Sequence, residues 1–358
     1  MDIYPLKAAH GDAIIIKIFT NERKHVIVID GGPSVTAESI ADIYDTLDYI
    51  DLLMLTHYDE DHISGLLEYF SRHTSDNVKR IGQVWVNGAH LIYYDDDENT
   101  AAYDNAFNLT TCLDKLKKHG FIDQWIDKVT DSMSPVVTDD YRIDILSPTS
   151  EILVTLEKKF KKYVEEHGLQ DDPDTDSEVS FAHVVADSQK SLEELGATVI
   201  KNKTTFMNTT SIAFLLRAEG KCILFTGDAD PIVVANSLTT LFQKDATLRK
   251  PLHTDLMKVS HHGSKANIRK ELLDLISCQS FLFTTNGGTG GSYHPDRTTL
   301  AYLWKYSNRQ ADKKLTLYFN YPLSKIVTRN VNVLSSEEKA MFNIVDDYDD
   351  NSNPKITI

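Results

Sequence analysis

The chain has 358 residues, is 41% hydrophobic and 25% charged, and carries a formal net charge of −16 at pH 7. That length permits one large domain or two ordinary ones. No segment approaches the ~18 uninterrupted apolar residues of a membrane span. The start, Met1-Asp2-Ile3-Tyr4-Pro5-Leu6-Lys7, lacks the basic region and apolar core of a secretory signal. The cysteines Cys112, Cys222 and Cys278 are odd in number and far apart. They read as small buried hydrophobes rather than a disulfide framework or a ligand set. These features point to a cytoplasmic enzyme without a membrane partner.

Residues 1–32 read as two strands joined by the polar turn Thr20-Asn21-Glu22-Arg23-Lys24. Residues 35–49 have helical spacing through Ile40, Ile43, Leu47 and Ile50. A strand over 51–56 then runs into Thr56-His57-Tyr58-Asp59-Glu60-Asp61-His62. Alternate residues of an extended segment point the same way. His57, Asp59 and Asp61 are therefore predicted to face one cavity, with His62 opening the turn into a helix over 63–72. A polar surface turn does not usually bring His57, Asp59, Asp61 and His62 together within six residues behind an apolar strand. Imidazoles and carboxylates this dense are what a divalent-metal site needs.

Val84-Trp85-Val86-Asn87 is a further strand and Ala106 to Leu116 a further helix. Residues 149–207 differ in character. They hold a charged helix-like segment from Ile152 to Glu166, the run Asp171-Asp172-Pro173-Asp174-Thr175-Asp176, and a second helical segment from Ser188 to Leu195. Low hydrophobicity and the Pro-Asp run predict a mobile surface insertion. It could serve as a lid or as an arm for a protein partner. Two later apolar strands also end in ligand-type residues: Cys222-Ile223-Leu224-Phe225-Thr226-Gly227-Asp228-Ala229-Asp230 and Leu256-Met257-Lys258-Val259-Ser260-His261-His262-Gly263-Ser264.

A net charge of −16 opposes binding to phosphate polymers. The charge is uneven, however. Residues 251–330 hold eleven Lys and Arg against five Asp and Glu, while acid gathers at Asp95-Asp96-Asp97-Glu98, between Glu165 and Glu178, and at Asp346-Asp347-Tyr348-Asp349-Asp350. A basic face beside His261-His262-Gly263-Ser264 is one reading. Charges dispersed over an ordinary solvated surface are the other.

The motif set resembles the metallo-β-lactamase superfamily. That family carries His-x-His-x-Asp-His, and here Asp59 stands at the second His. The His-x-Asp-x-Asp-His form is similar to the ComEC-type branch. Supporting stretches are Gly11-Asp12-Ala13, Ile29-Asp30-Gly31-Gly32, Leu146-Ser147-Pro148, Asn208-Thr209-Thr210-Ser211, Thr226-Gly227-Asp228, His261-His262-Gly263-Ser264 and Tyr293-His294-Pro295, all in the expected order. The resemblance covers roughly residues 1–330. It implies an αββα sandwich of two stacked mixed sheets flanked by helices. We read 1–358 as a single domain carrying 149–207 as an acidic, charged insertion.

The resemblance also implies a site for one or two divalent ions. His57 and Asp59 are assigned to one ion, Asp61 and His62 to the other, with Asp228 bridging and His261 the remaining ligand. Asp61 is also placed among the catalytic residues, and His262 or His294 is expected to give a proton to the leaving group. Asp12 and Asp230 are expected to orient the ligands. The hard oxygen of Asp59 shifts preference from zinc towards manganese or magnesium without excluding zinc. The superfamily usually places another His before the Gly-Asp strand. Here that region reads Phe206-Met207-Asn208-Thr209-Thr210-Ser211, which predicts a weaker first position. The expected activity is that of a phosphodiesterase or nuclease, with DNA as substrate. Alternatives are hydrolysis of a cyclic nucleotide, lactone or amide, and an effector-subunit role in a bacterial antiviral defence complex.

Overall fold

Strand alternation sets the architecture. In Ile14–Phe19, Ile14, Ile16 and Ile18 join one buried cluster and Ile15 another. Lys24–Ile29 divides likewise, with Ile27 and Ile29 on one face and Val26 and Val28 on the other. Successive strand residues point to opposite faces, so each sheet needs two apolar layers. Each fully buried Ile or Phe contributes roughly 1.5–3 kcal/mol.

The computed structural model describes residues 1–20, 23–72, 80–87, 101–166, 187–288, 293–310, 312–328, 331–346, 348 and 353–358. The runs Asp171–Asp176 and Asp95–Glu98, most of Asp346–Asp350, and Arg329 lie outside the described residues. The strands of the two main sheets are β1 (Asp2–Pro5), β2 (Ile14–Phe19), β3 (Lys24–Ile29), β4 (Ile50–Met54), β5 (Ile81–Trp85), β6 (Ile122–Ile126), β7 (Val136–Val137), β8 (Tyr141–Ser147), β9 (Ala213–Ala218), β10 (Lys221–Phe225), β11 (Leu256–Lys258), β12 (Ser280–Phe283), β13 (Thr316–Phe319), β14 (Asn343–Val345) and β15 (Ile356–Thr357). One sheet has the order β15-β1-β2-β3-β4-β5-β6, the other β14-β13-β12-β11-β10-β9-β8-β7.

Both sheets change from antiparallel to parallel pairing. Parallel pairing begins at β3–β4 in the first and at β10–β11 in the second. Between the sheets lie Ile16, Ile27, Met54, Trp85, Phe214, Phe225 and Leu282. The outer face of the first sheet is covered by α1 (Ala37–Asp45), α2 (Glu60–Ser71) and α3 (Ala101–Lys118). That of the second is covered by α5 (Pro231–Lys244) and α6 (Arg297–Tyr306). The expected αββα sandwich is the observed fold. Among the described residues, no helix is long and apolar enough to cross a membrane.

Several local expectations shift. The helix after the metal loop begins at Glu60 rather than Ile63, so Asp61 and His62 sit in its first turn. Its apolar spacing starts only at Ile63, which hid the start. The first helix is shorter than 35–49, with a single 3₁₀ turn at Ser34–Thr36 before α1. The insertion, in its described parts, is docked. Helix α4 (Ser150–Glu166) buries Leu153 and Leu156 in the layer outside the first sheet. The short helix Leu192–Gly196 buries Leu192 and Leu195 against the layer outside the second. Tyr302 and Tyr306 donate to the carbonyls of Thr198 and Gly196 at 2.5 and 3.0 Å. Four leucines among many charges were enough to anchor it.

Helix α2 and the Asp30-Gly31-Gly32 turn meet backbone to backbone. Gly31 N donates to the His62 carbonyl at 2.6 Å, and Gly65 N to the Gly32 carbonyl at 3.3 Å. A Cβ at Gly65 would collide with the Gly31 carbonyl, and one at Gly31 with Leu66 N.

Candidate metal centre

Parallel strands leave their C-terminal ends on one rim, the usual ligand position in such sheets. The loop after β4 carries His57 and Asp59, and the first turn of α2 carries Asp61 and His62. The loop after β10 carries Asp228, and the loop after β11 carries His261 and His262. His57, His62, Asp228, His261 and His262 are buried. The side chains of Asp59 and Asp61 are 38% and 22% exposed, so they form the mouth.

The scaffold fixes the tautomers of three rings. His62 Nδ1 lies 2.8 Å from Asp30 Oδ2, a pure acceptor, so the ring proton is on Nδ1. Thr56 Oγ1 donates to the same carboxylate at 2.8 Å and accepts from His57 Nδ1 at 3.1 Å. His262 Nδ1 donates to the Thr284 carbonyl at 2.8 Å. Each ring is left with a lone pair on Nε2, and each lone pair faces carboxylate. His62 Nε2 is 3.4 Å from Asp228 Oδ2 and 3.7 Å from Asp61 Oδ2. His262 Nε2 is 3.2 Å from Asp61 Oδ2 and 3.7 Å from Asp228 Oδ2. His57 Nε2 is 3.2 Å from Asp59 Oδ2. Lone pairs opposed to carboxylate oxygens repel unless a cation separates them.

The titration tendencies agree. Burial opposes charge on His62, yet Asp61, Asp228 and Asp30 hold it protonated to well above the usual pH. Burial also opposes charge on His262, and Asp228 and Asp12 outweigh it. At His57, burial and His62 oppose charge and Asp59 prevails. Burial would raise the carboxyls of Asp61 and Asp228, but the facing rings hold both below the usual range. The carboxylates that favour a charged ring would equally favour a cation between ring and carboxylate. His62 Nε2, Asp228 Oδ1 and Asn208 Oδ1 are buried without hydrogen-bond partners, which also suits an ion.

A second layer stands behind the ligands. Lys258 follows the inward-facing Leu256 by two residues, so it points between the sheets. Its ammonium is 1% exposed and pairs with Asp12, and it lies 3.6 Å from Asp228 Oδ1. Asp12 Oδ1 accepts from Thr284 Oγ1 at 2.5 Å and is 3.5 Å from His262 Nδ1. Residue type alone hid the burial of Lys258, although its place in the alternation of β11 gave a signal. Asp30, at the end of the second predicted strand, was read only as part of a turn. Asp230 caps α5, accepting from Ile232 N and Val233 N at 2.7 and 3.3 Å.

The structure groups His262, not His261, with Asp61 and His62. His261 is nearby, its Nε2 3.9 Å from Asp228 Oδ2. His294 is buried edge-on to His261, with ring centroids 4.9 Å apart. Neither His294 ring nitrogen has a hydrogen-bond partner, and Asp296 Oδ2 lies 3.6 Å from Nδ1. Burial pushes the Cys222 thiol up to about 12 and that of Cys278 to about 11, which suits packing rather than nucleophilic chemistry.

Five of the cations of 251–330 are already engaged within the chain. Lys258 points inward, Arg297 pairs with Glu338 at 2.6 Å and Lys270 with Asp274 at 2.6 Å. Arg269 donates to the carbonyls of Lys265, Ala266 and Ile268, and Arg309 to that of Trp304.

Comparison with known proteins agrees with this geometry. The model of the metallo-beta-lactamase superfamily matches residues 9–96, which include the whole His57–His62 motif. Similar solved structures include the metallo-beta-lactamase fold protein YhfI from Bacillus subtilis, with 11% identity, full coverage of both chains and a TM-score of 0.41. Zn(2+)-bound PqqB from Methylobacterium extorquens also has 11% identity and full coverage of both chains, with a TM-score of 0.42. Tm1679, a metal-dependent hydrolase of the beta-lactamase superfamily, has 11% identity over 86% of this chain and 94% of its own, with a TM-score of 0.40. No curated protein matches the chain. The two stacked mixed sheets are the fold that the resemblance implies, and the family model matches the part of the chain that carries the His57–His62 motif. The chain's buried histidines and carboxylates are a donor set that could hold a divalent metal ion.

Proposed function

We propose that this protein is a metal-dependent phosphodiesterase, with DNA as the substrate class to test first. The observation that carries the reading is the convergence of His62 Nε2 and His262 Nε2 on Asp61 and Asp228, at 3.2–3.7 Å. Two donors each about 2.1 Å from one ion lie no more than about 4.2 Å apart, so these four residues would hold it. This gives His262 the ligand role that the sequence assigned to His261. When bound, the ion supplies a Lewis acid and a nucleophilic water at neutral pH. The mixed oxygen and nitrogen set suits manganese or zinc, with magnesium a weaker match.

The chain's own residues then orient and transfer protons. Asp30 and the Thr284 carbonyl keep the His62 and His262 protons on Nδ1. His294 is the candidate proton donor to the leaving group, because its buried ring stands edge-on to His261 at the site, with Asp296 Oδ2 3.6 Å from its Nδ1. The ComEC-type motif supports DNA. The burial of Lys258 and the pairing of Arg297 with Glu338 favour the second reading, hydrolysis of a small substrate such as a cyclic nucleotide. A protein partner docked through 149–207 is a separate proposal, testable by affinity purification.

Purified protein should cleave single- or double-stranded DNA, or a nitrophenyl phosphodiester, with manganese, zinc or magnesium. Asp61→Ala should abolish this. Affinity that falls steeply with salt would support the polymer, and a flat salt response the small substrate. Metal-loaded protein inert towards every phosphodiester would reject the proposal. Equal cleavage by wild type and Asp61→Ala would mark a contaminant.

A further inference from the structure

Lys258 stands directly behind Asp228, and a buried lysine needs a place for every hydrogen of its ammonium. Two of the three have one. One goes to the Asp12 carboxylate, the other to the Gly227 carbonyl at 3.2 Å. The next acceptor is Asp228 Oδ1, 3.6 Å away. That oxygen is itself buried without a hydrogen-bond partner. A spare donor and a spare acceptor thus face each other just beyond bonding distance. Burial opposes the charge on Lys258, and Asp12 and Asp228 outweigh it.

Both carboxylates hang from a fixed main chain. Asp12 N donates to the Asp61 carbonyl at 3.1 Å, and the Asp12 carbonyl accepts from Gly32 N at 2.7 Å. Asp12 Oδ1 is held by Thr284 Oγ1 at 2.5 Å. Asp228 N donates to Ser211 Oγ at 3.0 Å, and the Asp228 carbonyl accepts from Asn267 Nδ2 at 2.8 Å. The two oxygens of Asp228 therefore divide. Oδ2 faces the Nε2 atoms of His62 and His262 at 3.4 and 3.7 Å, and Oδ1 faces the ammonium. The division has a chemical consequence, because a carboxylate can give a divalent ion one oxygen or both. An ammonium at Oδ1 competes with the ion for that oxygen. It also draws charge out of the carboxylate, so the ion keeps more of its own.

We infer that Lys258 is a positioning residue for the proposed hydrolysis: it reserves Asp228 Oδ1, so that Asp228 gives the ion Oδ2 alone and a coordination place stays open for water or a phosphoryl oxygen. Catalytic ions keep such a place, whereas structural ions are closed. The inference rests on the hydrolase reading and adds a residue that acts on the ion only through Asp228.

The test compares Asp12→Asn with the double variant Asp12→Asn, Lys258→Met. Each full chain is freed of metal and titrated with manganese, and circular dichroism checks its fold. The double variant keeps the wild-type net charge and exchanges a buried ion pair for neutral groups, a change that proteins often tolerate. Asp12→Asn, Lys258→Leu replaces it should the Met variant not fold. In Asp12→Asn the ammonium loses its anion and turns wholly to Asp228. Manganese should bind about tenfold more weakly, the scale of one charge-assisted hydrogen bond. In the double variant Asp228 can close on the ion with both oxygens. Manganese should bind at least as tightly as in wild type. Broadening of its resonance by water carrying the magnetic oxygen isotope should count one water fewer on the ion. A lysine that only supports the fold predicts weaker binding in both variants and a wild-type water count, and that result overturns the inference. So does a double variant with unchanged affinity and water count. The expected shifts in a protein that cleaves no phosphodiester overturn the hydrolase reading and leave the division of Asp228 standing. A wild type that binds no ion overturns both.

Discussion

The loops carrying His57–His62 and His261–Gly263 reach the same chemical result by different means. Both present imidazole lone pairs to shared carboxylates. In the first, regular structure suffices: β4 ends, α2 begins at Glu60, and the Asp30 side chain sets the His62 ring directly and the His57 ring through Thr56. In the second, the backbone is forced into left-handed geometry and His262 is set by a main-chain carbonyl, that of Thr284. The first loop is thus controlled by a side chain that one substitution can change. The second is controlled by conformation, which a side-chain change barely reaches.

Lys258 joins the two halves, so its removal should have the largest effect. Lys258→Met leaves Asp12 buried without its cation, which costs about 3–5 kcal/mol. Thermal or denaturant unfolding measures it, and an unchanged midpoint would show that the pair does not hold the loops together. Asp30→Asn sharpens the contrast at the first loop. It removes the pure acceptor behind His62 and Thr56, and should weaken metal binding about 10–100-fold, as changes behind ligands do. Titration calorimetry reads this directly. Thr284→Val is the matching change at the second loop and should do least. It deletes the hydroxyl bond to Asp12, worth about 1 kcal/mol of stability, and leaves the carbonyl that holds His262. A metal affinity that falls as far as in Asp30→Asn would erase the distinction between the loops.

Much of this was legible because apolar strands ending in His or Asp mark themselves. The stretches 51–62, 222–230 and 256–264 each announced a strand and candidate ligands, and the family resemblance they carry implied the αββα fold. Helix α2 was misplaced by a turn because Glu60, Asp61 and His62 belong to it without adding to its apolar stripe. That His262 rather than His261 groups with Asp61 and His62 was not legible. It depends on two φ angles that residue type does not encode. The insertion misled because composition averages over its length, whereas docking depends on where Leu153, Leu156, Leu192 and Leu195 fall. The charge count of 251–330 left two readings open because a count does not say which cations already have partners.

The contact between Gly31 and Gly65 has a mechanical consequence. Side chains packed between helix and sheet act as springs, since rotamers adjust and spacing can drift. Here α2 rests on the Asp30-Gly31-Gly32 turn through main-chain atoms with no side chain between. That is a hard stop. The helix carrying Asp61 and His62 cannot settle closer to the turn carrying Asp30, and its two backbone hydrogen bonds resist moving away. Substitutions in the outer helical layer can therefore change how tightly that layer is packed without retuning the gauge of the site.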